Sequence, residues 1–175
     1  MRGILAAGAG LAVALASMAL SQGSSSSVPR VVDNLDGTIS DKGSGLMWEK
    51  KTQCPDASET DPHCVNNTYE WTKSGNAPDG PLFTEFLAKI NRGDSGKNYR
   101  DWRIPTIDEL KTIVDCTKTN CLDPVFGEGQ ASRYWSSTPY ADFPDQAWTV
   151  NFFNGAVNFR INKNALYARA VRGGR

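Results

Sequence analysis

The chain has 175 residues with 19 basic and 19 acidic side chains, so its formal net charge at pH 7 is zero. This balance argues against a nucleic-acid-binding protein, because such proteins usually carry a basic excess. The length beyond the N-terminal apolar stretch suits one domain with a hydrophobic core of its own.

The N-terminus has the pattern of a secretory signal peptide. A short basic start precedes residues 4–20, which are small, almost wholly apolar and uncharged. A polar, Ser-rich stretch follows at once, which favours cleavage before Gln22 over an uncleaved membrane anchor. We therefore expect export to the periplasm, the cell surface or the medium, without membrane insertion after cleavage. The expected segments are a signal peptide at residues 1–21, a flexible Ser-rich spacer at 22–29 and one domain at 30–175.

Four cysteines in an exported chain favour two disulfides. Three pairings are possible for four cysteines. We expect Cys54–Cys64 and Cys116–Cys121, because each pair closes a short polar loop. A metal site is the alternative, but the chain lacks paired Cys-x-x-Cys spacing, so we predict no metal ligands.

The N-terminal part of the domain predicts a meander of three short strands separated by turns rich in Asp and Gly. The strands are expected at Arg30–Asp33, Thr38–Asp41 and Leu46–Lys50. Asp33, Asp36 and Asp41 raise the question of a calcium loop, but they do not fit the twelve-residue pattern with its closing Glu. An acidic turn is the better interpretation, and calcium binding is the alternative.

Two amphipathic helices are predicted in the middle of the chain. Apolar residues recur at helical spacing from Leu82 to Asn91, and Gly93 follows as a C-cap. The second helix should begin after Thr106, because Thr106 and Glu109 form a capping box. It should end near Asp115–Cys116.

The segment before this second helix is expected to form a structural corner. Pro105 keeps Ile104 out of the helical region. We expect Trp102 to fill the core and Arg103 to tie loops together through carbonyls or a carboxylate. Ligand binding by Arg103 is the alternative.

The C-terminal third predicts antiparallel strands. They are expected at Tyr134–Thr138, Ala147–Phe153, Ala156–Arg160 and Leu166–Arg172, with Asn154-Gly155 as a two-residue hairpin turn. Strands at both ends with two helices between them indicate a single α+β domain.

Six motifs occur in an order that resembles one protein family. They are Asp33-Asn34-x-Asp36-Gly37-Thr38, Gly45-Leu46-Met47-Trp48, Asp101-Trp102-Arg103-x-Pro105-Thr106-x-x-Glu109-Leu110, Tyr134-Trp135-Ser136-Ser137-Thr138, Ala147-Trp148-x-Val150-x-Phe152-x-Asn154-Gly155 and Tyr167-x-Arg169-x-Val171-Arg172. Together they resemble the Lcl C-terminal domain family of exported bacterial proteins, which is named for a collagen-like adhesin. The resemblance covers residues 31–173.

This resemblance implies an adhesion domain that binds sulfated glycosaminoglycans, although the chain lacks a collagen-like Gly-x-y region. The stretches at residues 103–109 and 171–174 are also similar to motifs of formylglycine-generating enzymes. Those enzymes have a C-type lectin-like fold. By analogy we expect a single C-type lectin-like domain here.

The residues themselves favour binding over catalysis. His63 is the single histidine of the chain and lies in a polar loop, and no Ser/His/Asp or Cys/His arrangement can be assembled around it. The formylglycine enzymes use a late reactive cysteine pair, whereas this chain has no cysteine after Cys121. We therefore expect no enzyme activity and no cofactor.

We expect a non-catalytic module that binds an anionic glycan through the C-terminal third of the chain. Residues 133–175 carry six basic and two acidic side chains. The expected ligand-binding residues are Arg160, Lys163, Arg169 and Arg172, since basic side chains, and guanidinium forks above all, suit sulfate and carboxylate groups. The alternative for Arg169 and Arg172 is pairing with acids of the N-terminal meander. The alternative functions are a structural or interaction protein of the envelope, with an envelope-protein partner, and, as a weaker alternative, a catalyst similar to the formylglycine-generating enzymes.

Overall fold

The computed structural model describes residues 29–174, apart from residues 59, 76, 94–98, 144–145 and 162. The predicted signal peptide lies outside these residues, as does the predicted spacer except for Pro29. In the described part, two short helices and two sheets of mostly antiparallel strands confirm the predicted α+β class. None of the described helices is long and apolar enough to span a bilayer.

The first sheet joins the N-terminal meander to the end of the chain. Its strands are β1 (Val31–Asp33), β2 (Thr38–Asp41), β3 (Leu46–Glu49) and β9 (Val171–Gly173), in the order β1-β2-β3-β9. All neighbouring strands are antiparallel, which confirms the predicted meander. Trp48 of β3 lies opposite Val171 of β9, and both side chains are fully buried. The two ends of the domain therefore meet in its core.

The second sheet is built from the middle and the C-terminal third of the chain. Its strands are β4 (Thr68–Glu70), β5 (Arg133–Pro139), β6 (Gln146–Asn151), β7 (Ala156–Ile161) and β8 (Ala165–Tyr167), in the order β4-β8-β5-β6-β7. All pairs are antiparallel except β5 with β8, which meet in parallel at Tyr134 and Tyr167. β7 is thus an edge strand of this sheet.

The first helical segment begins and ends close to its predicted positions. A π-helical turn (Leu82–Leu87) continues directly into α1 (Ala88–Arg92), and its Phe86 side chain is buried. Gly93 follows as the C-cap with a φ of 81°. Glycine adopts this left-handed conformation without steric cost because it has no Cβ, which confirms the predicted cap.

The second helix, α2 (Ile107–Lys111), begins where the capping box predicts. Thr106 Oγ1 accepts a hydrogen bond from the Glu109 backbone N–H at 3.2 Å, and the Glu109 carboxylate accepts one from the Thr106 N–H at 2.8 Å. The local signal for the helix start is therefore confirmed.

The predicted end of α2 is wrong, because the helix stops at Lys111 rather than near Cys116. Val114 forms a β-bridge with Leu122, and the Asp115 N–H donates to the Cys121 carbonyl at 2.8 Å. These backbone bonds replace the helical ones, so pairing with a later segment ends the helix early.

Two predictions for the C-terminal strands are also wrong. The single closing strand is split into β8 and β9, because the chain crosses from the second sheet to the first over residues 168–170. The hairpin after β6 has a four-residue turn, since Asn151 pairs with Ala156. Phe152 is buried inside this turn, which ends the strand before the residues predicted to continue it.

The core consists of two clusters of buried side chains on opposite faces of the second sheet. One contains Ile39, Leu46, Trp48, Leu110, Ile113, Leu122, Phe126, Tyr134, Val150, Phe152 and Val171. The other contains Trp71, Leu82, Phe86, Ile90, Trp102, Ile104, Trp135, Ala147, Ala168 and Ala170. Tyr134 and Trp135 are consecutive on β5 and enter different clusters, as the two-residue period of a strand requires.

The two predicted disulfides, Cys54–Cys64 and Cys116–Cys121, are present. The first holds the polar loop between β3 and β4, and the second closes the segment after α2. Two disulfides fit an oxidising, non-cytoplasmic compartment.

We expect Trp102→Ala to lower the free energy of unfolding by about 3–5 kcal/mol, because it empties a large volume in the core. The Trp102 side chain is only 5% exposed. Thr106→Ala, which removes the cap oxygen of α2, should cost about 1 kcal/mol. Urea unfolding curves measure both changes.

The control is Leu35→Ala, since Leu35 is 90% exposed. It should change stability by less than about 0.5 kcal/mol. If Trp102→Ala were no more destabilising than Leu35→Ala, the core role of the indole would be refuted.

Candidate functional site

The four basic residues predicted to bind an anion do not form one surface. Arg169 and Arg172 make bonds within the fold, whereas Arg160 and Lys163 lie on or beside the edge strand β7.

Arg169 is buried, with only 1% of its surface exposed. Its Nη1 donates to the carbonyls of Glu49 and Phe126 at 2.8 and 2.7 Å, and its Nη2 donates to the carbonyl of Glu128 at 2.7 Å. The expectation that Arg169 lies on a ligand-binding surface is therefore wrong. The chain crosses between the sheets at this point, and buried carbonyls there need donors.

The carboxylate of Glu49 lies beside Arg169 and is fully buried. One oxygen accepts a hydrogen bond from the Ala170 N–H at 2.9 Å, and the other is 2.8 Å from Lys51 Nζ and 2.9 Å from His63 Nδ1. Burial alone would raise the pKa of Glu49, but the Lys51 charge and the His63 hydrogen bond outweigh it and lower the pKa to about 2. Glu49 therefore stays ionised in the folded protein.

Sequence analysis missed this cluster of Glu49, Lys51, His63 and Arg169. The two-residue spacing of Glu49 and Lys51 in an extended segment places both on one face, which is a signal that the sequence contains. The burial of that face depends on residues far away in the chain. Because Glu49 and Lys51 are buried and the Nε2 atom of His63 is enclosed, the cluster is closed to a substrate.

Arg172 is held at the surface by a specific acid. Its Nε and Nη2 donate to the two carboxylate oxygens of Asp101 at 2.7 and 3.1 Å. The guanidinium also stacks over the Tyr99 ring, 3.9 Å from the ring centroid. The acid partner belongs to the segment before Trp102 and not to the N-terminal meander. Arg172 therefore links β9 to that segment.

Arg103 has the structural role that the sequence predicts. Its two Nη atoms each donate to one carboxylate oxygen of Glu109 at 2.6 Å, and Nη2 also donates to the Gly173 carbonyl at 3.0 Å. This bidentate geometry joins the capping box of α2 to β9. The backbone carbonyl of Pro105 accepts from the Ser137 N–H at 2.8 Å, so the corner is also tied to β5.

Arg160 and Lys163 remain as basic residues that reach the surface. Arg160 Nη1 donates to the backbone carbonyl of Phe159 at 2.7 Å, which holds the guanidinium along the edge of β7. Burial and, to a smaller extent, the nearby charge of Arg133 lower the pKa of Arg160. Lys163 is exposed in the turn between β7 and β8. Within the described part of the chain, neither residue forms an ion pair.

A group of four aromatic rings lies at the same end of the second sheet, and we call it the aromatic cluster. It consists of Tyr140, Phe143, Trp148 and Phe159. Phe143 and Phe159 are 54% and 40% exposed, and Trp148 is half-buried, whereas the other four tryptophans are buried. Sequence analysis did not find this cluster, because three of its rings come from a loop and from an exposed strand face that carry no core periodicity.

The family model of the Lcl C-terminal domain matches residues 37–172. The chain belongs to this family. A comparison with curated proteins finds no match. The family resemblance inferred from the six motifs is thereby confirmed, and the matched region includes the whole second sheet, both disulfides and the Arg160 edge.

In this Lcl C-terminal domain, the acids of the meander serve local structure. Asp36 accepts from the Thr38 N–H at 2.9 Å, and Asp41 pairs with Arg30 at 2.6 Å. Asp33 pairs with Lys50 at 2.6 Å. These bonds support the interpretation of an acidic turn.

We expect the stability of this Lcl C-terminal domain to fall as the pH drops from about 4.5 towards 2, partly through Glu49. A carboxylate whose pKa is lowered by folding stabilises the native state above its unfolded pKa, and this contribution is lost as the pH falls through its folded pKa. Glu49→Gln should flatten this decline. It should also cost about 3–5 kcal/mol at pH 7, because Lys51 loses its buried partner.

Urea unfolding at pH 7, pH 4 and pH 2.5 tests this expectation. The control is Asp108→Asn, whose side chain is 86% exposed and which should keep the wild-type pH dependence. An unchanged pH dependence in Glu49→Gln would contradict the role assigned to Glu49.

Proposed function

We propose that this chain is the binding domain of an exported adhesion protein and that its ligand is a sulfated glycan held at the edge strand β7. The observation that carries the proposal is the position of Arg160 and Lys163. The two residues are three positions apart in the sequence and both reach the surface, and the charge of Arg133 also acts on Arg160. Three cations without an ion-pairing acid among the described residues attract an anionic ligand.

The chemistry of these side chains suits sulfate groups. A guanidinium offers several donors in a planar fork, and lysine adds a mobile point charge. Exposed charges of this kind each contribute less than about 1 kcal/mol. The proposed binding is therefore weak for a single contact, depends on a repeating polyanion, and weakens with added salt.

The polar groups of the interior support binding rather than catalysis. Glu49, Lys51 and His63 resemble an acid–base set in composition, but the Glu49 carboxylate is already bonded to Lys51, His63 and the Ala170 N–H inside the fold. We therefore propose a non-catalytic module. The two disulfides support export, and similarity to the C-type lectin-like fold remains a prediction from the motif resemblance.

We expect the domain to bind immobilised heparin at low salt and to elute as the salt concentration rises. Arg160→Ala/Lys163→Ala should elute at clearly lower salt than the wild type, because two of the attracting charges are gone. A salt gradient on a heparin column measures this shift.

The matched control is Lys42→Ala/Lys118→Ala, which removes two exposed positive charges elsewhere on the domain. Equal elution of both double variants would show a general charge effect and would contradict a site at β7. Failure of the wild type to bind at low salt would favour a structural role in the envelope.

Export predicts a defined mature protein. In its native host, the intact mass should correspond to a chain that begins at Gln22, and alkylation under denaturing conditions should label no cysteine, since all four are paired. A mass that includes residues 1–21, or four labelled thiols, would be inconsistent with export.

A further inference from the structure

The aromatic cluster lies at the surface, and the sulfate contacts proposed for Arg160 and Lys163 do not involve it. Tyr140 lies parallel to Phe143 and Phe159, with ring centroids 5.9 and 4.3 Å away and interplanar angles of 10° and 15°. Trp148 stands at 83° to both Tyr140 and Phe159, at 5.2 and 5.8 Å. Tyr140 is therefore the middle ring of a three-ring stack that is supported from the side by the indole.

The backbone holds these rings in place. The Tyr140 N–H donates to the Gln146 carbonyl at 2.8 Å, and the Gln146 N–H donates to the Phe143 carbonyl at 2.9 Å. Tyr140 and Phe143 are thus both bonded to Gln146, the first residue of β6. Trp148 and Phe159 are directly opposed on β6 and β7, which fixes the other side of the cluster. A preformed surface loses little conformational entropy when it binds a ligand.

We propose that the aromatic cluster is a stacking platform for sugar rings, so that the ligand of the β7 edge is a polysaccharide bound through its rings as well as through its sulfates. This inference rests on the proposed function above. The faces of aromatic rings carry partial negative charge, and they attract the polarised C–H groups on the apolar face of a pyranose ring. Contact also removes the exposed surface of Phe143 and Phe159 from water.

The charges around the aromatic cluster determine how the proposed ligand is oriented on it. The side chains of Arg160 and Phe159 leave β7 on opposite faces of the sheet, but the Arg160 guanidinium donates to the Phe159 carbonyl, so the cation lies at the strand edge that borders the cluster. At the other end, the exposed Asp142 precedes Phe143. Sulfates therefore belong at the Arg160 end, and an unsulfated ring face belongs at Phe143.

A second copy of the chain fits this surface less well. Pairing two β7 edges would place the Arg160 of each copy in one interface, and like charges in one interface repel. Arg160 also occupies the carbonyl of Phe159, which an added strand would need. The charges and the occupied edge both favour an anionic ligand that does not add a strand.

The test compares two polyanions that differ in whether they contain sugar rings. Fluorescent heparin oligosaccharide has both sulfates and pyranose rings, whereas polyvinyl sulfate has sulfates alone. We measure the affinity of the exported domain for each ligand in wild type, Phe143→Ala and Phe143→Tyr. Phe153→Ala is the matched control, because Phe153 is 71% exposed and lies outside the cluster.

Phe143→Ala should weaken heparin binding roughly three- to ten-fold, the scale of one lost aromatic contact, without changing the affinity for polyvinyl sulfate. Phe143→Tyr, which keeps the ring, and Phe153→Ala should bind both ligands as the wild type does. Because Phe143 is more than half exposed, the variant should keep the wild-type melting temperature, which is measured alongside.

The outcomes separate this inference from the proposed function. If the wild type binds heparin and Phe143→Ala binds it equally well, the platform is refuted while the sulfate site stands. An equal loss for polyvinyl sulfate would show that no sugar ring is recognised and would also overturn the inference. If the wild type binds neither polyanion, both proposals fall together.

Discussion

The fold depends on one buried guanidinium. Arg169 lies where the chain leaves the second sheet and enters the first, and it donates to the carbonyls of Glu49, Phe126 and Glu128. An unpaired buried carbonyl costs about 1–3 kcal/mol, so three such groups at one crossing need a multivalent donor. Arginine alone supplies five N–H groups in a rigid fork. The ionised Glu49 carboxylate accepts a hydrogen bond from the Ala170 N–H, which places the crossing segment against β3.

This arrangement decides which cations are left for a ligand. The C-terminal third does contain more basic than acidic side chains. However, Arg169 donates its hydrogen bonds to buried carbonyls inside the fold, and Arg172 forms an ion pair with Asp101. Arg169 and Arg172, beside the last two strands, bond to segments from earlier in the chain. Arg160, on the edge strand β7, does not link distant segments in this way. Net charge along a sequence segment therefore overstates the charge that is open to a ligand, and of the four predicted residues Arg160 and Lys163 remain for the proposed site.

The sequence predicts those features that local chemistry determines. The capping box of Thr106 and Glu109, the glycine cap at Gly93 and the three-stranded meander each depend on residues a few positions apart, and all are confirmed. Long-range pairing decides the rest. The end of α2 depends on Val114 meeting Leu122, and the split of the closing strand depends on two sheets that no local pattern reveals. The aromatic cluster was missed for the same reason, since its rings meet only after β5, β6 and β7 are aligned.

The hairpin of β6 and β7 is held at both ends, which makes an edge strand suitable for binding. At its turn, a Cβ on Gly155 would lie 3.0 Å from Cys116 Sγ and 3.3 Å from Val114, so the disulfide loop packs closely against the hairpin. At the opposite end, the Tyr140 stack covers the Trp148–Phe159 pair. A strand fixed in this way presents Arg160 and Phe159 at a constant separation. Several weak contacts can then add up, because binding does not cost the conformational entropy of ordering the strand.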